Sequence, residues 1–248
     1  MSDRLSTSDA KEIRKRLNAA YSSVIVYGTG LDVAHMPTFS MNSKYQDLVS
    51  ESKNKKTLWK WFLENGADAQ MHPFFHKLRE MNEDTKKLGI PNFSTHYILK
   101  TSVLNTMSDL ESTEGFNLLE LNGNAFEAFD PSQGQLLRIN SPKQLVDGLE
   151  NTFPKGNYDS KKRVVANFES AYVNDLINIA VFIGTSGRCP VVESMYNRAL
   201  VNKAFIVVVN TDKQCFMHDL ANVSLTCDAQ QFLDDLNTFY VTGELNEQ

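Results

Sequence analysis

The stretch Val24-Ile25-Val26-Tyr27-Gly28-Thr29-Gly30 decides the fold, and it has a counterpart far along the chain in Ile179-Ala180-Val181-Phe182-Ile183-Gly184-Thr185-Ser186. Each is a short apolar run rich in Val and Ile, without the alternation of a half-exposed strand. Such runs read as strands buried on both faces. Each closes in small residues. A small-residue bend at the carboxyl end of a buried strand lets a ligand approach the backbone, and it aims the amides of the next helix at an anion. Two such bends point to one nucleotide gripped from two sides.

Other strands follow outward from these two. Tyr97 to Lys100 ends in Thr101-Ser102, and Leu118 to Leu121 ends in Asn122-Gly123. Arg163 to Phe168 is a further strand, and Phe205 to Val209 ends in Asn210-Thr211-Asp212. Helical spacing of apolar residues marks Ser8 to Ala20, with Ile13, Leu17 and Ala20 on one face. It also marks Tyr45 to Lys87, broken at Asn65-Gly66, then Val191 to Asn202 and Ala229 to Leu236. Ala171 to Ile179 is helical or leads into the strand after it. Phe126 to Ile139 reads as a hairpin or irregular segment, and Ser141-Pro142 as the cap of a short helix running to Asn151.

Strands alternating with helices predict an α/β fold: a three-layer, Rossmann-like, mostly parallel six-stranded sheet with a small helical module inserted after the first strand. The whole of 1–248 is read as one domain. Its large part covers about 8–40, 94–123 and 162–240, and its small module about 41–93 with an irregular insert at 124–161. In such sheets ligands bind outside the carboxyl ends of the strands.

Composition narrows the function. The chain has 248 residues, 42% of them hydrophobic, which argues for a packed core and against disorder. A net charge of −5 argues against a dedicated nucleic-acid partner. No apolar run is long enough to cross a bilayer, and the polar segment Met1 to Lys15 is not a secretory leader. Three cysteines, Cys189, Cys215 and Cys227, form no C-x-x-C pair. They cannot build a four-thiolate zinc site, so no metal is expected, and a reducing, cytoplasmic compartment suits them.

Taken in order, several segments resemble the sirtuin family of NAD-dependent protein deacylases. Gly28-Thr29-Gly30-Leu31-Asp32 followed by Pro37-Thr38-Phe39 is similar to the family's G-A-G-I-S…G-I-P-D-F-R loop, one residue shorter. Thr101 to Asn105 resembles T-Q-N-I-D in position, and Glu120-Leu121-Asn122-Gly123 resembles E-L-H-G. Val164-Val165 with Phe168-Glu169 is similar to V-V-x-F-G-E, and Gly184-Thr185-Ser186 with Pro190-Val191 to G-T-S-x-x-V-x-P. Val207-Val208-Val209-Asn210 resembles the I-I-N strand, and Asp219-Leu220 with Cys227-Asp228-Ala229 the closing A-D-L…G-D-A. The resemblance runs from about Val24 to Leu236. It implies NAD or ADP-ribose as ligand, held by Gly28, Thr29, Gly30, Asp32, Pro37, Phe39, Ser102, Asn105, Asn122, Gly184, Thr185, Ser186, Asn210, Thr211, Asp212 and Ala229. An acylated peptide or another protein is the further partner it implies. The same three-layer sheet also occurs in the central domain of thiamine-diphosphate enzymes, a reading without a sirtuin role.

The departures concern chemistry. Asn122 stands where the family has its catalytic histidine, and Asn105 where it has the Asp of T-Q-N-I-D. The Arg of the first loop is Ser40, and 124–161 stands where the zinc thiolates would be. The histidine, as the resemblance implies it, is a general base on a ribose hydroxyl. An imidazole titrates near neutral pH; an Asn amide accepts a hydrogen bond but takes up no proton. Loss of a general base costs typically ~10²–10⁴-fold in rate. Deacylation is therefore expected to be weak or lost, with slow NAD glycohydrolysis or ADP-ribosyl transfer as the residual chemistry. The alternative is an inactive scaffold that binds NAD or ADP-ribose or assembles with itself. His35, in the first loop, is the one other base near the expected cofactor. His72 and His76 are spaced to share a helix face, but no Cys or acid completes a metal set, and they read as decoration of a small-module helix. His96 reads as a strand cap, and Asp234-Asp235 as a solvated face. Trp59 and Trp61 cannot share a face, so one is expected buried and the other exposed or at an interface.

Overall fold

The computed structural model describes residues 3–19, 22–30, 55–65, 71–88, 95–102, 115–121, 124–139, 141–145, 147–151 and 177–245. A six-stranded sheet forms its centre. In chain order its strands are β1 (Ser22–Tyr27), β2 (Thr95–Lys100), β3 (Phe116–Glu120), β7 (Ile177–Ile183), β8 (Phe205–Val209) and β9 (Val223–Leu225). They lie side by side as β3-β2-β1-β7-β8-β9, and every pairing is parallel. Numbered by appearance in this sheet alone, the order is 3-2-1-4-5-6, the doubly wound arrangement. Arg163 to Phe168, expected as a strand, lies outside the described residues. The sixth described strand, Val223–Leu225, is three residues long, too short for an apolar run to announce it.

Both faces of the sheet are covered, which explains the unbroken apolar runs. Ile25 and Tyr27 point to one core and Val24 and Val26 to the other, and all four are buried. On the first face lie α1 (Thr7–Ala19), α3 (Pro73–Lys87) and α5 (Ala229–Thr242), through Ile13 and Leu17, Phe74, Phe75 and Leu78, and Phe232 and Leu236. On the second lies α4 (Pro190–Val201), through Val192, Met195, Tyr196 and Ala199. Local chemistry sets the helix ends. Ser6 Oγ accepts from the Asp9 amide at 3.1 Å ahead of α1, two residues earlier than Ser8 suggested. Asp228 Oδ1 accepts from the amides of Gln230 (2.8 Å) and Gln231 (3.2 Å) ahead of α5. That helix continues to Gly243, which terminates it in the left-handed region at φ 80°.

A second, antiparallel sheet is ordered β5-β4-β6, from β4 (Glu127–Asp130), β5 (Gln135–Arg138) and β6 (Glu150–Asn151). The hairpin expected within Phe126 to Ile139 is β4–β5, closed by Asp130, whose Oδ1 accepts from the Ser132 amide at 2.8 Å. The helix expected from Pro142 to Asn151 is not there. Gln144 reaches back to accept from the Ser141 amide at 3.0 Å, but only one 3₁₀ turn, Pro142–Gln144, follows. Leu145 leaves helical geometry, Gly148 sits at φ 94°, and Glu150–Asn151 pairs with β4 instead.

The helix α2 (Lys55–Asn65) packs on this small sheet: Trp59, Phe62 and Leu63 form one core with Ala125, Phe126, Ala128 and Ile139. Trp59 Nε1 donates to the Ala125 carbonyl at 2.8 Å. One small core therefore joins α2 to the antiparallel sheet. α3 packs into the core of the main sheet: Phe74 and Phe75 join Ile25, Tyr27 and Ile98 there, and the Phe74 ring meets Tyr240 edge-on. Trp59 is buried, and Trp61 is half-buried against the small core and edge-on to Phe62 at 5.4 Å.

Candidate functional site

The sheet reverses its winding between β1 and β7, and a crevice at that reversal is where a doubly wound sheet takes a ligand. Both glycine bends lie there. The Gly28 amide donates to the Ile183 carbonyl at 2.8 Å, and the Gly30 amide to the Gly184 carbonyl at 2.9 Å. The two bends thus touch backbone to backbone. A Cβ on Gly28 would stand 2.2 Å from the Gly184 carbonyl oxygen, and one on Gly30 would stand 2.7 Å from Gly184 Cα. Gly184 takes φ 59°, a left-handed conformation that releases the chain from β7. These glycines are accordingly required by each other, before any ligand is considered. Among the described residues, the amides of Thr29, Thr185 and Ser186 make no hydrogen bond, so three backbone donors are left over at this edge of the sheet.

Neighbouring strand ends close around the same edge. The Gly184 amide donates to the Val209 carbonyl (2.9 Å), the Thr101 amide to Tyr27 (2.9 Å) and the Asn210 amide to Leu225 (3.1 Å). Asn210 ties two ends together: its Nδ2 donates to the Thr185 carbonyl at 2.7 Å, and its Oδ1 accepts from the Asp212 amide at 2.9 Å. Thr185 is buried, while Ser186, Thr211 and Asp212 are exposed. Ser102 is fully buried after β2. Ala229 opens α5 with its side chain in the main core, so it can meet a ligand only through its backbone. Asp32, Pro37, Phe39, Asn105 and Asn122, with His35, lie outside the described residues.

The remaining candidates take structural roles. His72 Nδ1 accepts from the Phe74 amide (3.1 Å) and caps α3, while Nε2 faces Asp234 Oδ1 at 3.1 Å on α5. That bonding fixes the proton on Nε2, and burial holds the imidazole below its usual pKa against the opposing pull of Asp234. His96 is a member of β2, not its cap. Its Nδ1 lies 2.7 Å from Ser23 Oγ and its ring 5.0 Å from Phe116, and burial pushes its pKa down to about 3. His218 Nδ1 pairs with Ser224 Oγ at 2.8 Å. All three cysteines are free thiols. Cys215 Sγ faces the Ser186 carbonyl at 3.8 Å, and burial raises its pKa, so it is no ready nucleophile. Among the described residues no three His, Cys, Asp or Glu groups gather as metal ligands, and no helix is long and apolar enough to cross a membrane.

Sequence reading passed over one constellation. Lys100, last residue of β2, is fully buried, and its Nζ lies 2.7 Å from Glu120 Oε1, at the end of β3. The same oxygen accepts from Asn124 Nδ2 at 3.1 Å. The only signal was a lysine closing an otherwise apolar run.

Solved structures now place the fold. A Sir2 homologue in complex with NAD superposes with a TM-score of 0.62 at 17% identity, over 97% of this chain and 97% of that one. The fold is that of the Sir2 proteins. A histidine-to-asparagine mutant of a Sir2 homologue in complex with ADP-ribose gives 0.61 at 17% identity, over 95% and 99%. Sir2 bound to an acetylated peptide gives 0.60 at 15% identity, over 94% and 98%. No protein-family model matches the chain, and no curated protein matches it by sequence. These superpositions cover 94–97% of the chain.

Proposed function

We propose that this Sir2-fold chain binds NAD or ADP-ribose at the β1/β7 crevice, with deacylation weak or lost and slow NAD cleavage or ADP-ribosyl transfer as its residual chemistry. The observation that carries the reading is the meeting of the two glycine bends at the reversal of the sheet. The free amides of Thr29, Thr185 and Ser186 suit a pyrophosphate there. Gly28, Gly30 and Gly184 let the two bends meet backbone to backbone at that edge, and Asn210 holds the adenosine side of the crevice in shape through Thr185. Asp32, Pro37, Phe39, Ser102, Asn105, Thr211, Asp212 and Ala229 complete the proposed wall. Asn122 orients a ribose hydroxyl without accepting its proton. A histidine-to-asparagine mutant of a Sir2 homologue forms a complex with ADP-ribose, which supports nucleotide binding by a chain that has Asn122 where the family resemblance puts its histidine. An acylated peptide is the proposed second partner, and three free thiols suit a reducing, cytoplasmic setting.

Calorimetry with NAD and with ADP-ribose tests binding, and nicotinamide release with and without acylated peptide tests turnover. Saturable heat with both nucleotides, and release that the peptide does not accelerate, is the expected result. No heat at millimolar nucleotide removes the reading; peptide-dependent release at an efficient rate removes the loss of deacylation.

A further inference from the structure

Lys100 and Glu120 are directly opposite each other in the β2–β3 register, at the carboxyl edge of the sheet. Lys100 is fully buried, on a strand whose neighbours Ile98 and Leu99 are core residues. Glu120 Oε1 gathers both Lys100 Nζ (2.7 Å) and Asn124 Nδ2 (3.1 Å). Asn124 Oδ1 in turn accepts from the Phe126 amide at 2.8 Å, where the small module begins, and the Leu121 amide donates to the Lys100 carbonyl at 2.8 Å. One carboxylate oxygen therefore fixes the separation of three pieces of chain: the end of β2, the end of β3 and the lead into β4.

A buried ion pair is poor as a stability device. Desolvating two charges offsets most of their attraction, and an apolar pair of like volume is often as stable. What the pair supplies is one defined geometry. Each of its arms stands two residues before a residue of the proposed site: Lys100 before Ser102, Glu120 before Asn122. We propose that Lys100, Glu120 and Asn124 form a positioning clamp that sets the distance between the β2 and β3 ends for the nucleotide. The clamp rests on the nucleotide reading above. It makes no contact with the ligand; it holds the residues that do, and it couples them to the small module through Phe126 and through the Ala125 carbonyl that takes the Trp59 indole.

The test replaces the charges without breaking the core. The double variant Lys100→Met/Glu120→Leu is compared with the wild-type chain by thermal melting, by hydrogen exchange over 121–126, and by ADP-ribose titration. A clamp gives a melting temperature close to wild type, exchange over 121–126 faster by about tenfold, and ADP-ribose affinity lower by about tenfold. Unchanged exchange, or faster exchange with unchanged affinity, overturns it. Where the double variant fails to fold, Asn124→Asp serves: it keeps the acceptor for the Phe126 amide but sets a second carboxylate against Glu120, and the same two readouts apply. Absence of ADP-ribose binding by the wild-type chain is a failure of the nucleotide reading, whereas wild-type binding that the variants preserve is a failure of the clamp alone.

Discussion

Gly28 shows how one residue can answer two questions differently. Its place after β1 suggests a ligand pressing on the backbone, yet the atom it makes room for is the Gly184 carbonyl oxygen, 2.2 Å from where a Cβ would be. Gly28→Ala is therefore expected to destabilise the fold by on the order of 3 kcal/mol, as forced overpacking against backbone does. Urea unfolding measures it, and a variant of wild-type stability would show that the two bends do not touch. Loss of binding in such a variant would say nothing about the ligand. His96 gives a second expectation at this scale. It is held neutral at a pKa of about 3, against 6.5 in the unfolded chain, so between those values the unfolded chain binds the extra proton. Stability must fall as pH drops below 6.5, by about 1.4 kcal/mol per pH unit from this group. Unfolding midpoints between about pH 4 and 7 should fall less steeply for His96→Gln; equal slopes would contradict the burial of the ring.

Among the elements, those with a strong local signal were legible and those held by distant partners were not. The strands β1, β7 and β8 announce themselves because both their faces are buried, so their side chains need no alternation. β9 is three residues long and exists because β8 offers it an edge. The helix expected after Pro142 had a genuine start signal, but its continuation depended on β4, which captures Glu150 and Asn151 instead. α3 was legible as a helix, while its destination was not: nothing in its spacing says that Phe74 and Phe75 meet β1 rather than the module. The same holds for His72, whose partner Asp234 is distant in sequence. His72 joins α3 to α5, so His72→Ala is expected to cost about 1 kcal/mol as a lost cap. His72→Asn, which restores an acceptor for the Phe74 amide, should recover most of it. Denaturant melts of the two variants check this; equal losses would place the weight on Asp234 and not on the cap.

At the scale of the molecule, the wall of the proposed site is made where strands from both ends of the sequence meet. The meeting of residues 28–30 with 184–186 was inferable from strand–bend repetition, because a parallel sheet puts carboxyl ends on one edge. The Lys100–Glu120–Asn124 cluster was not, since it needs the β2–β3 register. The central claim is that a single dinucleotide sits across the β1/β7 reversal. Hydrogen exchange of the intact chain, measured with and without saturating ADP-ribose, tests it most directly. Slowed exchange confined to peptides spanning 28–30, 184–188 and 210–212 is the expected result. Exchange that ADP-ribose leaves unchanged there, or slows only in segments away from that edge, would contradict the account.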